Sequence, residues 1–96
     1  MQQLQILIVE DELSYSIDLE MILREIGFEK LHLCDNYDSG MAILESEHVG
    51  LALLDINING RNRGIDLARR TQALGIPTIF TSAFTDENIF QEAEST

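Results

Sequence analysis

The stretch Leu51-Ala52-Leu53-Leu54-Asp55 places four apolar residues directly before a carboxylate. An apolar run of this length is too short for an amphipathic helix and is typical of a strand buried on both faces, as in a parallel sheet. Ligand sites of open parallel sheets lie beyond the carboxyl ends of the strands. The pattern therefore predicts a central strand, and it makes Asp55 the candidate reactive residue.

The chain has 96 residues and a formal net charge of −11, from 17 acidic and 6 basic side chains. This length suits one domain with a modest core, so we treat residues 1–96 as a single domain. Contact with phosphate groups requires a basic surface, so we expect no binding to nucleic acid or to an anionic membrane. Cys34 is the single cysteine, which excludes an internal disulfide and favours a reducing, cytoplasmic location.

Strand and helix patterns alternate along the whole chain. Strands are predicted at residues 4–9, 30–34, 50–54 and 78–82, with the second at a sheet edge. Four helices are predicted between and after them, and the first covers residues 13–26. This βαβαβαβα order predicts an α/β fold, an open doubly wound parallel sheet with helices on both faces.

The apolar spacing predicts which helix faces pack against the sheet. The residues expected to face the core are, in chain order, Tyr15, Leu19, Ile22 and Ile26 in the first helix, Tyr37, Met41 and Leu44 in the second, Ile65, Ala68 and Gln72 or Leu74 in the third, and Ile89, Phe90 and Ala93 in the fourth.

Polar side chains follow three of the predicted strands. Glu10 and Asp11 follow the first strand, Asp55 the third, and Ser82 ends the fourth. Carboxylates at this spacing raise one another's pKa, and a hard cation such as Mg²⁺ relieves the repulsion because it prefers carboxylate oxygens. A carboxylate beside Mg²⁺ can attack phosphorus and form an aspartyl-phosphate. The pattern thus favours phosphoryl transfer to Asp55.

Four segments together carry a family resemblance: ILIVEDE (6–12), LLDIN (53–57), GIDLA (64–68) and IFTSA (79–83). In this order and over essentially the whole chain, they resemble the receiver domain of two-component response regulators, the CheY-like family. The match lacks the proline that usually follows the phosphoacceptor. Its glycine, Gly64, lies nine residues after Asp55 instead of eight.

The resemblance implies a role for each matching residue. Asp55 would accept a phosphoryl group from a sensor histidine kinase. Mg²⁺ would be bound by the side chains of Asp11 and Asp55, by Glu10 mainly through water, and by the backbone carbonyl of Asn57. Ser82 would contact the phosphoryl group and act as the switch. Ser82 is preferred to the neighbouring Thr81 because alanine follows it, as in the family pattern.

The resemblance also implies the flavodoxin-like receiver fold with strand order 2-1-3-4 and with the family's fifth strand and fifth helix missing. The lysine that ends the fifth strand would then be missing too. Lys30 begins a strand and would lie at the wrong end of the sheet, whereas Arg61 or Arg63 could approach the site. The fourth strand would become an edge, so we expect self-association through it.

The residues leave other functions open. The chain would not be an enzyme acting on a separate substrate, although receivers catalyse their own phosphorylation and dephosphorylation. A non-phosphorylatable interaction or dimerisation domain on the same fold is the main alternative. A phosphotransfer enzyme of the haloacid dehalogenase kind also forms an aspartyl-phosphate, but it needs a second acid where this chain has Asn57.

Overall fold

The computed structural model describes residues 4–58 and 63–81. Within these ranges the chain alternates strictly between strands and helices. The strands are β1 (Gln5–Val9), β2 (Lys30–Cys34), β3 (Val49–Leu54) and β4 (Thr78–Phe80), and the helices are α1 (Leu13–Ile26), α2 (Tyr37–Ser46) and α3 (Arg63–Ala73). The predicted fourth helix and Ser82 lie outside the described residues. Among the described helices, none combines the length and the apolar character needed to cross a membrane.

The four strands form one parallel sheet in the order β2-β1-β3-β4. The last residue of β1, Val9, pairs with Cys34 of β2 and with Leu54 of β3. Leu54 in turn pairs with Phe80 of β4. All four strands therefore end at the same level, and the residues that follow them lie along one edge of the sheet. The predicted α/β architecture, strand order and edge position of β2 are confirmed.

Helices cover both faces of the sheet. On one face, Leu7 and Leu54 belong to a buried cluster with Leu44 of α2 and Leu67 of α3. On the other face, a smaller cluster consists of three buried strand residues with Leu19 and Leu23 of α1 packed against it; the strand residues are Ile6, Ile8 and Leu53. Because the strands bury side chains on both faces, they read as continuous apolar runs.

The predicted core-facing residues are right for α2 and partly wrong for the other two described helices. In α1, Leu19 packs inward as predicted, but Tyr15, Ile22 and Ile26 are 42%, 53% and 67% exposed. The inward face runs instead through Ser16, Leu19 and Leu23. Helix α1 carries more large apolar residues than one face can bury, so apolar spacing alone could not identify that face.

Helix α3 buries a face with few large apolar residues. Its buried residues are Gly64, Leu67 and Thr71, spaced at i, i+3 and i+7. The predicted Gln72 and Leu74 are exposed, although Ala68 packs against the core. The prediction missed this face because a glycine and a threonine carry no hydrophobic signal. The hydroxyl of buried Thr71 is satisfied by a hydrogen bond with the hydroxyl of Thr78 at 2.6 Å.

Gly64 permits a close approach between α3 and the end of β3. A Cβ atom at this position would collide with the carbonyl oxygen of Asp55 and lie 2.7 Å from the Cα of Ile56. The backbone N–H of Gly64 also donates a hydrogen bond to the carbonyl of Ile56 at 3.0 Å. Only glycine allows the helix to begin this close to the strand end.

Gly64→Ala is therefore expected to lower the free energy of unfolding by about 2 kcal/mol or more, because backbone atoms cannot rotate away from the new methyl group. This cost exceeds the gain of about 1 kcal/mol that alanine normally brings to a helix. Urea unfolding followed by circular dichroism measures the change. Gly50→Ala is the control, since its Cβ meets mainly the movable side chain of Leu4. Equal stabilities for the two variants would contradict the close-approach argument.

Candidate functional site

The hydrogen bonding of the sheet continues one residue beyond three of its strands. The N–H of Asp55 donates to the carbonyl of Val9 at 2.9 Å, and that of Thr81 donates to the carbonyl of Leu54 at 2.9 Å. The N–H of Glu10 donates to the carbonyl of Cys34 at 3.0 Å. These bonds align Glu10, Asp55 and Thr81 side by side at the carboxyl edge.

Three carboxyl groups meet at this edge. Glu10, Asp11 and Asp55 each place an oxygen within 4.8 Å of the others. Glu10 and Asp55 are 5% and 7% exposed, whereas Asp11 lies at the surface. Buried like charges are costly unless a proton or a cation compensates them. We call these three residues the acidic cluster.

Both carboxyl oxygens of Glu10 accept hydrogen bonds. The backbone N–H of Glu12 donates to its Oε1 at 3.2 Å, and the hydroxyl of Thr81 donates to its Oε2 at 3.3 Å. Burial is the largest cause that raises the pKa of Glu10 to about 7, and the hydrogen bond and the charge of Asp55 contribute to the same rise. The hydrogen bonds from Glu12 and Thr81 act in the opposite direction and offset only part of this rise in the pKa of Glu10. Glu10 therefore holds a proton below about pH 7.

Asp55 is fixed by its own loop and by its hydrogen bond to β1. The backbone N–H of Asn57 donates to Oδ1 of Asp55 at 3.1 Å, which orients the carboxylate relative to the strand. The following residues Ile56 and Ile58 are 5% and 0% exposed, so they anchor the start of the loop in the core. This arrangement presents a buried carboxylate in a defined orientation.

The structure brings together three of the predicted site residues, Glu10, Asp11 and Asp55. It places Asn57 next to them through its backbone amide, while Ser82 lies outside the described residues. Thr81, which sequence reasoning passed over in favour of Ser82, contacts Glu10 directly. The one available signal was its position one residue after β4, which in a parallel sheet aligns it with Asp55.

The guanidinium of Arg63 lies over the ring of Tyr37, 4.6 Å from its centre. Arg63 thus links the starts of α2 and α3 through a cation–π contact. Lys30 pairs with Gln5 at the amino end of the sheet, as expected. Arg61 lies outside the described residues.

A cavity of about 470 Å³ borders the acidic cluster between the starts of α1 and α2. Its lining includes Glu10, Asp11, Cys34 and Asn36.

Burial raises the pKa of the Cys34 thiol, and the charge of Asp35 also raises it. The thiol packs against the core and stays protonated at neutral pH.

A model of the response regulator receiver domain family matches residues 6–96. The chain belongs to this family. A search of curated proteins found no significant match.

Solved receiver structures share the fold. The MaeR response regulator bound to beryllium trifluoride has 28% identity and a TM-score of 0.78, with 95% of this chain and 76% of that one covered. The receiver domain of a modulated diguanylate cyclase from Desulfovibrio desulfuricans has 29% identity and a TM-score of 0.76, covering 96% and 74%. A CheY-like receiver from Methanospirillum hungatei has 27% identity and a TM-score of 0.74, covering 82% and 63%.

The acidic cluster of this receiver fits a small hard cation. Opposite ligands of octahedral Mg²⁺ lie about 4.2 Å apart, so oxygens within 4.8 Å of one another need only small shifts to bind it. All three donors are carboxylate oxygens, the type that Mg²⁺ prefers. Binding through Glu10 requires its proton to leave, since a metal ligand must be deprotonated.

The raised pKa of Glu10 predicts a pH-dependent stability in magnesium-free buffer. The folded state holds a proton on Glu10 that the unfolded state releases near the ordinary pKa of 4.5. Stability is therefore highest below pH 4.5 with respect to this group and falls as the pH rises through about 7. The loss is expected to reach about 3 kcal/mol at most.

The comparison of wild type with Glu10→Gln isolates this effect from the other carboxyl groups. Glutamine keeps the shape but cannot ionise, so the decline between pH 4.5 and 7 should be shallower in this variant. Chemical denaturation in EDTA at several pH values measures it. The exposed Glu45→Gln should behave like wild type. Parallel curves for wild type and Glu10→Gln would rule out a raised pKa at Glu10.

Proposed function

We propose that this chain is the phosphoacceptor domain of a two-component response regulator, phosphorylated on Asp55 by a sensor histidine kinase with Mg²⁺. The observation that carries the proposal is the placement of buried Asp55 beside Glu10 and Asp11 at the carboxyl edge of a receiver sheet. The similar MaeR structure binds beryllium trifluoride, a group that resembles a phosphoryl group in shape and charge.

Asp55 is the proposed nucleophile. An oxygen of its carboxylate attacks phosphorus in line, the new O–P bond forms, and the P–N bond to the kinase phosphohistidine breaks with its electrons left on the imidazole. In the metal-bound site Glu10 would have lost its proton, because a metal ligand must be deprotonated. The hydrogen bond from the Asn57 N–H holds the carboxylate in place.

The metal would be held by Glu10, Asp11, Asp55 and the backbone carbonyl of Asn57. Bound there, it would neutralise charge on the phosphoryl oxygens. Ser82 is proposed to contact the phosphoryl group and act as the switch; this role rests on the IFTSA motif at residues 79–83. We also propose a cytoplasmic location, from the lone cysteine and from the role itself.

The main competing function is a receiver-like interaction domain that is never phosphorylated. The buried, oriented Asp55 favours the phosphoacceptor, because an interaction domain gains nothing from two adjacent buried acids. A phosphotransfer enzyme of the haloacid dehalogenase kind is disfavoured, because Asn57 stands where such an enzyme needs its second acid. Asn57 contacts Asp55 through its backbone N–H.

Incubation with acetyl phosphate and Mg²⁺ is expected to add one phosphoryl group to the wild-type chain, as measured by intact mass spectrometry. Asp55→Asn should abolish the adduct, because the amide is a far weaker nucleophile than the carboxylate. EDTA should suppress it in the wild type, since the charge on the phosphoryl oxygens then goes unbalanced.

Asp66→Asn is the matched control for this experiment. Asp66 lies on α3 at the surface, with its carboxylate 3.7 Å from Arg69, and is not part of the acidic cluster. This variant should be phosphorylated like wild type. An adduct that survives in Asp55→Asn would place the phosphoacceptor elsewhere, and a wild type that never forms one would favour the interaction domain.

We further propose self-association through β4. Among the described residues β4 hydrogen-bonds one strand, β3, and its central residue Ile79 is 50% exposed. Apolar edge strands of this kind pair readily with other chains. Light scattering at increasing concentration should show dimers for wild type and fewer for Ile79→Lys. Leu33→Lys on the other edge strand, 39% exposed, is the control. A wild type that stays monomeric throughout would remove this proposal.

A further inference from the structure

The carboxyl group of Glu10 is held by donors from two different elements. Its Oε1 accepts from the backbone N–H of Glu12, in its own loop, and its Oε2 accepts from the hydroxyl of Thr81, which follows β4. Glu10 and Thr81 are 71 positions apart in the chain. The contact exists only because β1, β3 and β4 are in register.

Thr81 is itself fixed in place. Its backbone N–H donates to the carbonyl of Leu54 at 2.9 Å, so its Cα cannot move without breaking a sheet bond. Its hydroxyl lies 3.3 Å from Oε2 of Glu10 and 3.5 Å from the carbonyl oxygen of Leu54. The Glu10 oxygen is therefore the nearer of the two acceptors for this hydroxyl.

A glutamate with one oxygen held can still swing about that contact, whereas one with both oxygens held cannot. Metal ligands are commonly oriented by neighbouring groups in this way, and loss of such a partner weakens metal binding. We propose that Thr81 is a positioning residue that holds Glu10 in the orientation that the metal site requires. This inference rests on the proposed function, since it assumes that the acidic cluster binds Mg²⁺.

The proposal makes β4 a structural part of the metal site, although β4 supplies no ligand from the described residues. It also separates the two adjacent hydroxyl residues. Thr81 acts on Glu10 before any phosphoryl group arrives, whereas the role proposed for Ser82 begins only with phosphorylation. Loss of the Thr81 hydroxyl should therefore be visible in the unphosphorylated chain.

Thr81→Val removes the hydroxyl and keeps the shape of the side chain, and Thr81→Ser keeps the hydroxyl. Isothermal titration with Mg²⁺ should show about 10-fold weaker binding for Thr81→Val, with binding restored in Thr81→Ser. In metal-free protein, the NMR signal of the Glu12 amide proton should move upfield in Thr81→Val and return in Thr81→Ser, because that amide reports the position of the Glu10 carboxyl group.

Thr78→Val is the matched control. Its hydroxyl lies on β4, three residues before Thr81, and pairs with that of Thr71, so this variant should lose stability while its Mg²⁺ affinity and Glu12 signal stay unchanged. Wild-type affinity in Thr81→Val together with an unmoved Glu12 signal would overturn the inference. If the wild-type chain binds no Mg²⁺, the proposed function loses its metal, and the Glu12 signal alone then decides whether Thr81 positions Glu10.

Discussion

Two buried acids side by side set the main constraint on this receiver domain. Glu10 and Asp55 follow adjacent strands and are both almost fully buried, so they cannot both carry a charge without a compensating group. Without metal, a proton on Glu10 compensates, as its raised pKa indicates. In the proposed function a divalent cation takes over that role. Either a proton on Glu10 or a bound cation can thus offset the repulsion between the two buried acids.

The rest of the fold keeps these two acids from moving apart. The register of β1 with β3 places them at the same level, and a hydrogen bond from the Asp55 N–H to Val9 extends that register to the acids themselves. On the loop side, Ile58 is buried in the core. Gly64 allows α3 to close against the Asp55 carbonyl. Moving Glu10 and Asp55 apart to reduce their repulsion would therefore break packing contacts or sheet hydrogen bonds. Binding a proton or a cation costs less free energy than such a rearrangement.

The sequence predicted the parts of this arrangement that follow from strand periodicity. The apolar run 51–54 identified the central strand, and parallel topology then placed Asp55 beside Glu10 and Asp11 at one edge. Periodicity failed where burial did not depend on large apolar residues. The inner face of α3 uses Gly64 and Thr71, and that of α1 begins at Ser16, so all three lacked a hydrophobic signal. The contact of Thr81 with Glu10 depends on side-chain direction at a strand end, which residue types do not specify.

The arrangement is costly for a domain with so small a core. An apolar side chain in place of Glu10 would fill the same buried space, remove the repulsion with Asp55 and require neither a proton nor a donor from Glu12 or Thr81. Replacing buried charged groups with apolar ones is often neutral or stabilising. A purely structural sheet edge therefore has no physical reason to contain this pair. Local departures from the most stable choice are expected at sites where chemistry takes place, and in the proposed function the oxygens of Glu10 and Asp55 serve metal binding and phosphoryl transfer.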